Sequence, residues 1–463
     1  MRQTVRIESL AYQGHGVAHL ADGKAVFVAD TVPGDRLLVE VADEHKCFAR
    51  GTTVELLEAS EQRVQAACPH AGACGGCPWQ IVGYASQLFW KRRFVVDSLS
   101  RIAHIADADG LVAETIAAPK LWGMRNKVEF KLYREAAGGR LQAGMYTARS
   151  NSCAPVESCM ALGGQPGKLP GRLAGLLNFV FVDGRAKTGS LATADLTPYR
   201  LGIRTSQRTG DCEVALWSRP APLRRSFLAG TIGQQAKCVN SVVRVLTKEQ
   251  DGRHKTVRTE VLAGRGFWSE AFGGHVLKVS APSFFQVNTK MAELLAKRLK
   301  EQLLQGSGRC GLQVFDLYAG IGSFTLPLAA AGACVVAVEI NGSSLCDLRR
   351  NLSAAGLQAE VVAGDVAREL PWLLRRATGG QAARGGLAAI VDPPRSGLSS
   401  TVAKALADSP LSRLAYVSCD PASLARDARI LIDGGFRLQQ AVPFDFFPQT
   451  YHIETLALFE KDT

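Results

Sequence analysis

A thiol stands at the end of a short apolar run in residues 414–427, "LAYVSCDPASLARD". Leu414, Ala415, Tyr416 and Val417 read as a buried strand that stops at a turn, with Cys419 at the break. Three uses of such a thiol are open: a small core filler, a metal ligand or a nucleophile. Its setting narrows the choice. Four other strand-like runs end in carboxylates, at Asp316, Glu339, Asp365 and Asp392. In an open α/β sheet, ligands bind outside the carboxyl ends of the strands, so all five groups could face one crevice. A single carboxylate at a turn means little, whereas five polar groups in succession suggest a site.

The first turn of that crevice is "DLYAGIGSFTLP". Gly320 and Gly322 let the backbone pass close to a ligand. There is no third glycine in dinucleotide-binding spacing and no Lys-Ser/Thr pair of a P-loop, which disfavours a pyrophosphate or triphosphate. Glu339 lies 17 residues beyond Gly322, where a carboxylate can accept hydrogen bonds from ribose hydroxyls. A nucleoside-like cofactor without phosphates fits, S-adenosylmethionine being the common one, with Asp365 toward the adenine edge. In "VDPPRSGL" two prolines hold Asp392 on a rigid extended segment, with Cys419 at the end of the next strand beside it.

A second group of thiols lies in "CPHAGACGGCPWQ", where Cys68, Cys74 and Cys77 follow the spacing C-x5-C-x2-C. Twelve cysteines scattered over this length do not read as a disulfide framework. In a reducing compartment, three thiols in one Gly-rich loop point to a metal ion or cluster. The spacing departs from the C-x3-C-x2-C of radical S-adenosylmethionine enzymes. A fourth ligand must come from elsewhere, and Cys153 and Cys159 in "RSNSCAPVESCMAL" are the candidates. Cys47, Cys212, Cys238, Cys310, Cys334 and Cys346 read as core or surface residues.

The elements that must position these groups fall into three regions. Residues 1–60 show short alternating runs punctuated by Gly, Asp-Gly and Pro-Gly, the pattern of a small all-β barrel. Residues 61–282 form a central region, with the cysteine loop, a helix at about 84–106 that could pack on the last region, and mainly strands thereafter. Residues 283–463 alternate strands and helices, which predicts a doubly wound, mostly parallel sheet. "ATGGQAARGG" (377–386) is a flexible loop between elements. Net charge is +12, distributed as −3, +14 and +1 over the three regions. The central excess suggests a polyanionic partner. Its strand "NKVEFKLYR" alternates Val128, Phe130 and Leu132 with Lys127, Glu129 and Lys131, flanked by Arg125 and Arg134, so a largely basic face is expected. No run is long and apolar enough to span a bilayer, and "MRQTVRIESL" is no signal sequence, so a cytoplasmic protein is expected.

The motifs "DLYAGIGSFTLPLA", "VDPPRSGL", "YVSCDPASLARD" and "PQTYHIETLALF" together resemble the RNA uracil-5-methyltransferases, most closely the 23S ribosomal RNA branch with an iron–sulfur cluster. "PSFFQVN", "MRNKVEF" and a barrel similar to a TRAM domain extend the likeness along nearly the whole chain. The resemblance implies a class I (Rossmann-like) methyltransferase domain, an OB-like TRAM barrel and a central, mainly β, RNA-binding domain. It implies Cys419 as nucleophile and Glu454 as base, with Gln286, Tyr318, Ser323, Glu339, Asp365 and Asp392 lining the S-adenosylmethionine site. It places the last cluster ligand ten residues after an Arg-Ser pair, hence Cys159 after Arg149, and a [4Fe-4S] cluster on Cys68, Cys74, Cys77 and Cys159. Zn²⁺ remains open on the residues alone. The implied substrate is a single-stranded or loop uridine of ribosomal RNA, acted on by a monomer. Transfer RNA or another RNA is the alternative substrate, and a non-catalytic RNA-binding metalloprotein the alternative class. The proposed chemistry explains the thiol: carbon 5 of uracil becomes nucleophilic only after a thiolate adds at carbon 6, and a base must then remove the carbon 5 proton.

Overall fold

The structure is a computed structural model that describes residues 1–135, 139–148, 150–183, 197–250, 252–305, 311–379 and 386–461. Arg149 and most of the 377–386 loop lie outside the described residues.

Six strands between Arg2 and Glu58 form the N-terminal barrel sheet. Alternation builds it: Val5, Ile7, Ala18, Val26, Val28, Leu37 and Val39 point inward, and the charged residues between them stay outside. The central sheet has seven strands. Strand Lys127–Tyr133 lies inside it, between Arg200–Thr205 and Gln142–Tyr146. Val128, Phe130 and Leu132 face a core shared with helix Leu169–Leu177.

The third sheet carries the strand ends singled out above. Its strands, in chain order, are Gln313–Leu317, Cys334–Glu339, Glu360–Ala363, Leu387–Val391, Arg413–Ser418, Arg437–Phe444 and Glu454–Glu460. In space they run third, second, first, fourth, fifth, seventh, sixth. The first five are parallel. The seventh inserts antiparallel between the fifth and the sixth. The sixth strand, "RLQQAVPF", gives no clear strand signal in sequence, because its apolar residues are interrupted by Gln439, Gln440 and a proline.

The helices begin where local chemistry directs. Asn341 accepts from the backbone of Ser343 and Ser344 at the start of helix Gly342–Ala355, and Gly356, at φ 64°, closes it in the left-handed conformation. Asp420 accepts from Ser423 N at 2.8 Å, with Pro421 in the first helical turn of Pro421–Asp433. Cys419 therefore occupies the link between a strand end and a helix N-terminus.

Two pieces from the central region pack with the third sheet. Helix Tyr84–Arg101 buries Val95, Val96 and Leu99 in the core that holds Leu424, Ala428 and Leu431. Hairpin Trp268–Phe272 and His275–Val279 buries Trp268, Phe272 and Leu277 with helix Thr289–Leu304. Among the described residues, no helix is long and apolar enough to cross a membrane.

Candidate active site and thiol cavity

A cleft of about 590 Å³ opens beyond the carboxyl ends of the third sheet. Gln286, Tyr318, Ser323, Glu339, Asp392, Cys419 and Glu454 all line it. Asp365 does not: it is exposed and accepts from Ala367 N at 2.7 Å, at the start of the following helix. Asp316 is also absent from the lining. It is buried inside its strand and accepts from Thr325 Oγ1 at 2.5 Å, so its side chain anchors a helix instead of facing a ligand. The expectation of five strand-end groups in one crevice thus reduces to Glu339, Asp392 and Cys419. Side chains alternate along a strand, and Asp316 falls one residue before the end of its strand.

The glycine turn is built as its sequence requires. Gly320 and Gly322 have φ of 57° and 96°, and Tyr318 also adopts a positive φ of 69°. Glu339 fastens this turn. Its carboxylate accepts from Gly320 N at 2.8 Å and from Asn341 N at 2.6 Å. A carboxylate has about four lone-pair directions, so two remain for hydroxyls of a bound ligand.

One register brings Cys419 and Glu454 together. The fifth and seventh strands pair antiparallel with Ser418 opposite Thr455. The next positions, Cys419 and Glu454, are 35 residues apart in sequence and meet at the floor of the cleft. Glu454 is 4 % exposed. Burial, and next the Asp392 charge, push its carboxyl well above the ordinary range, against the pull of Arg395. Asp392 is itself raised to about 7 by burial and by Asp316, and a hydrogen bond from Gln286 opposes the shift. Burial pushes the Cys419 thiol up to about 12, helped by Glu454 and Asp392 and opposed by Arg395.

Motif reasoning passes over some wall residues. Arg395, three positions after Asp392, lines the cleft, and its charge acts on both Cys419 and Glu454. His452 lies two positions before Glu454, its ring against Phe447 at 5.9 Å and Tyr451 at 4.4 Å. Burial, with Arg395 and Arg125 near, lowers it to about 4, so it is neutral at pH 7. Both stand inside the motifs "VDPPRSGL" and "PQTYHIETLALF", and their place beside an acid is the only signal.

The second group of thiols also converges. Cys68, His70, Cys74, Cys77 and Cys159 line one cavity in the central region. Cys153 does not; its carbonyl accepts from Tyr133 Oη at 3.2 Å on a neighbouring strand. Burial raises Cys74 and Cys159 and lifts Cys77 to about 12, while Arg125 acts in the opposite direction on all three. Arg125 lines the cavity, and its buried Nε has no hydrogen-bond partner. Its sequence position suggests a phosphate contact, but the fold turns it toward the thiols. Among the described residues, no group of three or more His, Cys, Asp or Glu side chains is close enough to hold a single metal ion.

The basic face expected on strand Lys127–Tyr133 is only partly free. Lys127 is spent on Glu129, at 2.6 Å. Lys131 is exposed above the ring of Tyr146, at 4.9 Å. With Tyr199, Arg200 and His254 these residues line an open groove, where Tyr199 and His254 stack at 4.5 Å.

The chain is similar to known proteins along its whole length. Residues 274–462 match the family model for tRNA (uracil-5-)-methyltransferase, and residues 1–54 match the TRAM domain. An uncharacterized RNA methyltransferase of Thermosynechococcus vestitus is 36% identical over 98% of this chain and 97% of its own. Another, of Halalkalibacterium halodurans, is 32% identical over 98% and 96%. Among solved structures, the tRNA (uracil-54, C5)-methyltransferase of Pyrococcus abyssi, in complex with S-adenosyl-L-homocysteine, superimposes with a TM-score of 0.71. It is 22% identical, and the match covers 99% of this chain and 100% of that one.

Proposed function

The chain belongs to the S-adenosylmethionine-dependent RNA uracil-5-methyltransferases that carry a TRAM domain, and from that premise we propose that it methylates carbon 5 of a uridine in 23S ribosomal RNA, with Cys419 as nucleophile and Glu454 as base. The observation that carries the pair is their register: strand pairing sets them side by side over one cleft. In this reading Cys419 Sγ adds to carbon 6 and the electron pair moves to carbon 5, which takes the methyl group. Glu454 then removes the carbon 5 proton, and the Sγ–carbon 6 bond breaks to restore the ring. S-adenosylmethionine supplies the sulfonium methyl. Gln286, Tyr318, Ser323, Glu339 and Asp392 are assigned to its binding. Asp365 lies outside the cleft lining with its charge acting on Tyr318, and it stays assigned to the adenine edge.

The thiol cavity is proposed to hold a [4Fe-4S] cluster on Cys68, Cys74, Cys77 and Cys159. The donor set supports this: four soft thiols share one cavity, Gly76 N donates to Cys74 Sγ at 3.4 Å, and Arg125 Nε is a buried donor without a partner. The cluster's expected part is to staple a loop-rich segment. A protein purified without air should be brown and lose its visible absorbance on Cys77→Ser. A colourless protein with stoichiometric zinc would reject the cluster.

The ribosomal target rests on the motif resemblance. Transfer RNA is the second reading, and one observation favours it: the Pyrococcus enzyme, which acts on tRNA, shares the fold over its full length, so the barrel does not discriminate. Mass-spectrometric mapping of 5-methyluridine in both RNA classes from a deletion strain tests the assignment. Loss at a 23S site supports it, and loss confined to transfer RNA replaces it.

A further inference from the structure

Tyr12 belongs to the N-terminal barrel, yet it reaches the floor of the cleft from behind. Its hydroxyl donates to the main-chain carbonyl of Cys419 at 3.3 Å, with the Asp420 carboxylate close by. The contact joins residues 407 positions apart. It is prepared on both sides. Tyr12 stands in a tight hairpin turn, where Gly14 N donates to Ala11 O at 2.9 Å and Ala11 N to His15 O at 2.8 Å. Gln13 and Gly14 take φ of 83° and 87°, which turns the chain sharply at the barrel's edge. Gly14 presses on the catalytic side as well: a Cβ there would come within 2.7 Å of the Tyr451 ring. Tyr12 itself is held edge-on by Phe94 at 5.7 Å and Tyr451 at 6.3 Å. Trp79, just beyond the cysteine loop, completes this aromatic hub.

The carbonyl in question belongs to the peptide between Cys419 and Asp420. Holding it fixes the backbone from which Sγ projects and leaves one side-chain torsion to place the sulfur. Asp420 is tied at the same time. It caps the following helix through Ser423 N, and its backbone N–H and carbonyl both bond Ser418 Oγ. A thiol that must attack carbon 6 at a distance of about 3–3.5 Å gains rate from such fixing. We propose that Tyr12 is a positioning residue for the nucleophile, so that the barrel acts on the methyl-transfer centre as well as serving as an RNA-binding module. The inference rests on the reading of Cys419 as nucleophile. Burial, with Asp420 beside it, pushes the Tyr12 phenol up, so it stays a hydrogen-bond donor throughout the working pH range. At 3.3 Å the bond is long for a hydroxyl; catalytic hydrogen bonds in the free protein often tighten when the reactive complex forms.

Tyr12→Phe in the full-length protein removes the hydroxyl and keeps the ring. The probes are in vitro transcripts of ribosomal and of transfer RNA made with 5-fluorouridine. On such RNA the Sγ–carbon 6 bond forms and the methyl reaches carbon 5, but fluorine occupies the place of the removable proton and the adduct persists. At saturating RNA and S-adenosylmethionine, Tyr12→Phe should form the Cys419 adduct roughly tenfold more slowly than wild type. The KM for RNA and the Kd for S-adenosylmethionine should stay within about twofold. An unchanged adduct rate, or a raised KM for RNA with an unchanged maximal rate, overturns the positioning role and leaves Cys419 as nucleophile. No Cys419-linked adduct in wild type with either RNA overturns the nucleophile and the positioning role together.

Discussion

Cys419 is expected to be held mostly as the neutral thiol in the resting protein. Burial is the main reason, and the carboxylates of Glu454 and Asp392 add to it. The thiolate fraction therefore falls about tenfold for each pH unit below the raised pKa. Alkylation of Cys419, followed by peptide-resolved mass spectrometry, should rise with pH and still be climbing at about pH 10, where an ordinary thiol with a pKa of about 8.5 has levelled off. Asp392→Asn removes a neighbouring negative charge, favours the thiolate and should shift the whole curve to lower pH. A plateau near the ordinary thiol range would contradict the buried setting. Glu454 is displaced in the same direction, so as a base it is competent only where pH approaches its raised pKa. Glu454→Gln should allow addition and methyl transfer but block proton removal, leaving a slower-migrating protein–RNA band on a denaturing gel. Cys419→Ala should abolish transfer and keep S-adenosylmethionine binding, because the walls assigned to that ligand stand on other strand ends.

Helix Tyr84–Arg101 and the segment Asp445–Tyr451 form one locked unit. Lys91 Nζ donates to Asp445 Oδ1 at 2.5 Å and to Phe447 O at 3.0 Å, with the Lys91 and Asp445 side chains fully buried. Tyr84 Oη donates to Asp445 Oδ2 at 2.9 Å. Gln87 exchanges hydrogen bonds with Gln449, which holds a positive φ of 68°. This segment leads directly to Glu454, so the helix that follows the thiol loop shapes the approach to the proposed base. Breaking a buried ion pair from one side leaves an uncompensated charge and costs about 3–5 kcal/mol, whereas replacing both partners with apolar groups is often close to neutral. Lys91→Met should lower the unfolding transition markedly in calorimetry, and Lys91→Met with Asp445→Leu should recover part of the loss. Equal destabilisation by the single and the double variant would show that the pair's charges are not what matters here.

Across the whole molecule, the cleft is lined by strand ends of the third sheet and by residues from 282 to 287, whereas the open groove is lined by strands of the central sheet, and the positive excess of the central region is proposed to meet RNA at that groove. The open groove with Lys131, Arg200, Tyr146 and the Tyr199–His254 stack combines cations with aromatic faces, which suits backbone contact and base stacking on a single strand. Removing a cation that neutralises one phosphate should flatten the salt dependence of RNA affinity by roughly 0.7 on a log–log plot. Lys131→Gln should therefore reduce the slope by roughly 0.7 and leave S-adenosylmethionine affinity unchanged. Titration of labelled RNA fragments at several salt concentrations reads this directly. Lys127→Gln or Arg200→Gln should change the slope less, since both charges are paired with Glu129, at 2.6 and 3.1 Å. A Lys131 variant with the wild-type slope would move the RNA platform off this groove.

Much of this architecture is legible in the residues. Alternation and turn residues mark the barrel, βα periodicity marks the third sheet, and strand-end position marks Glu339, Asp392 and Cys419, because these are local properties of a short window. Asp316 is misplaced from sequence because strand ends are uncertain by a residue, and one residue turns a side chain from the cleft into the core, while Asp365 stands exposed two residues beyond its strand. The partnership of Cys419 with Glu454 is available only through resemblance; its physical cause is an antiparallel register involving a strand whose position in the sheet no local pattern encodes. The same holds for Arg125, for the choice of Cys159 over Cys153 at the thiol cavity, and for Tyr12 behind Cys419. Each depends on packing between segments far apart in the chain. Periodicity settles which face of an element is buried, but only the tertiary arrangement decides what it is buried against.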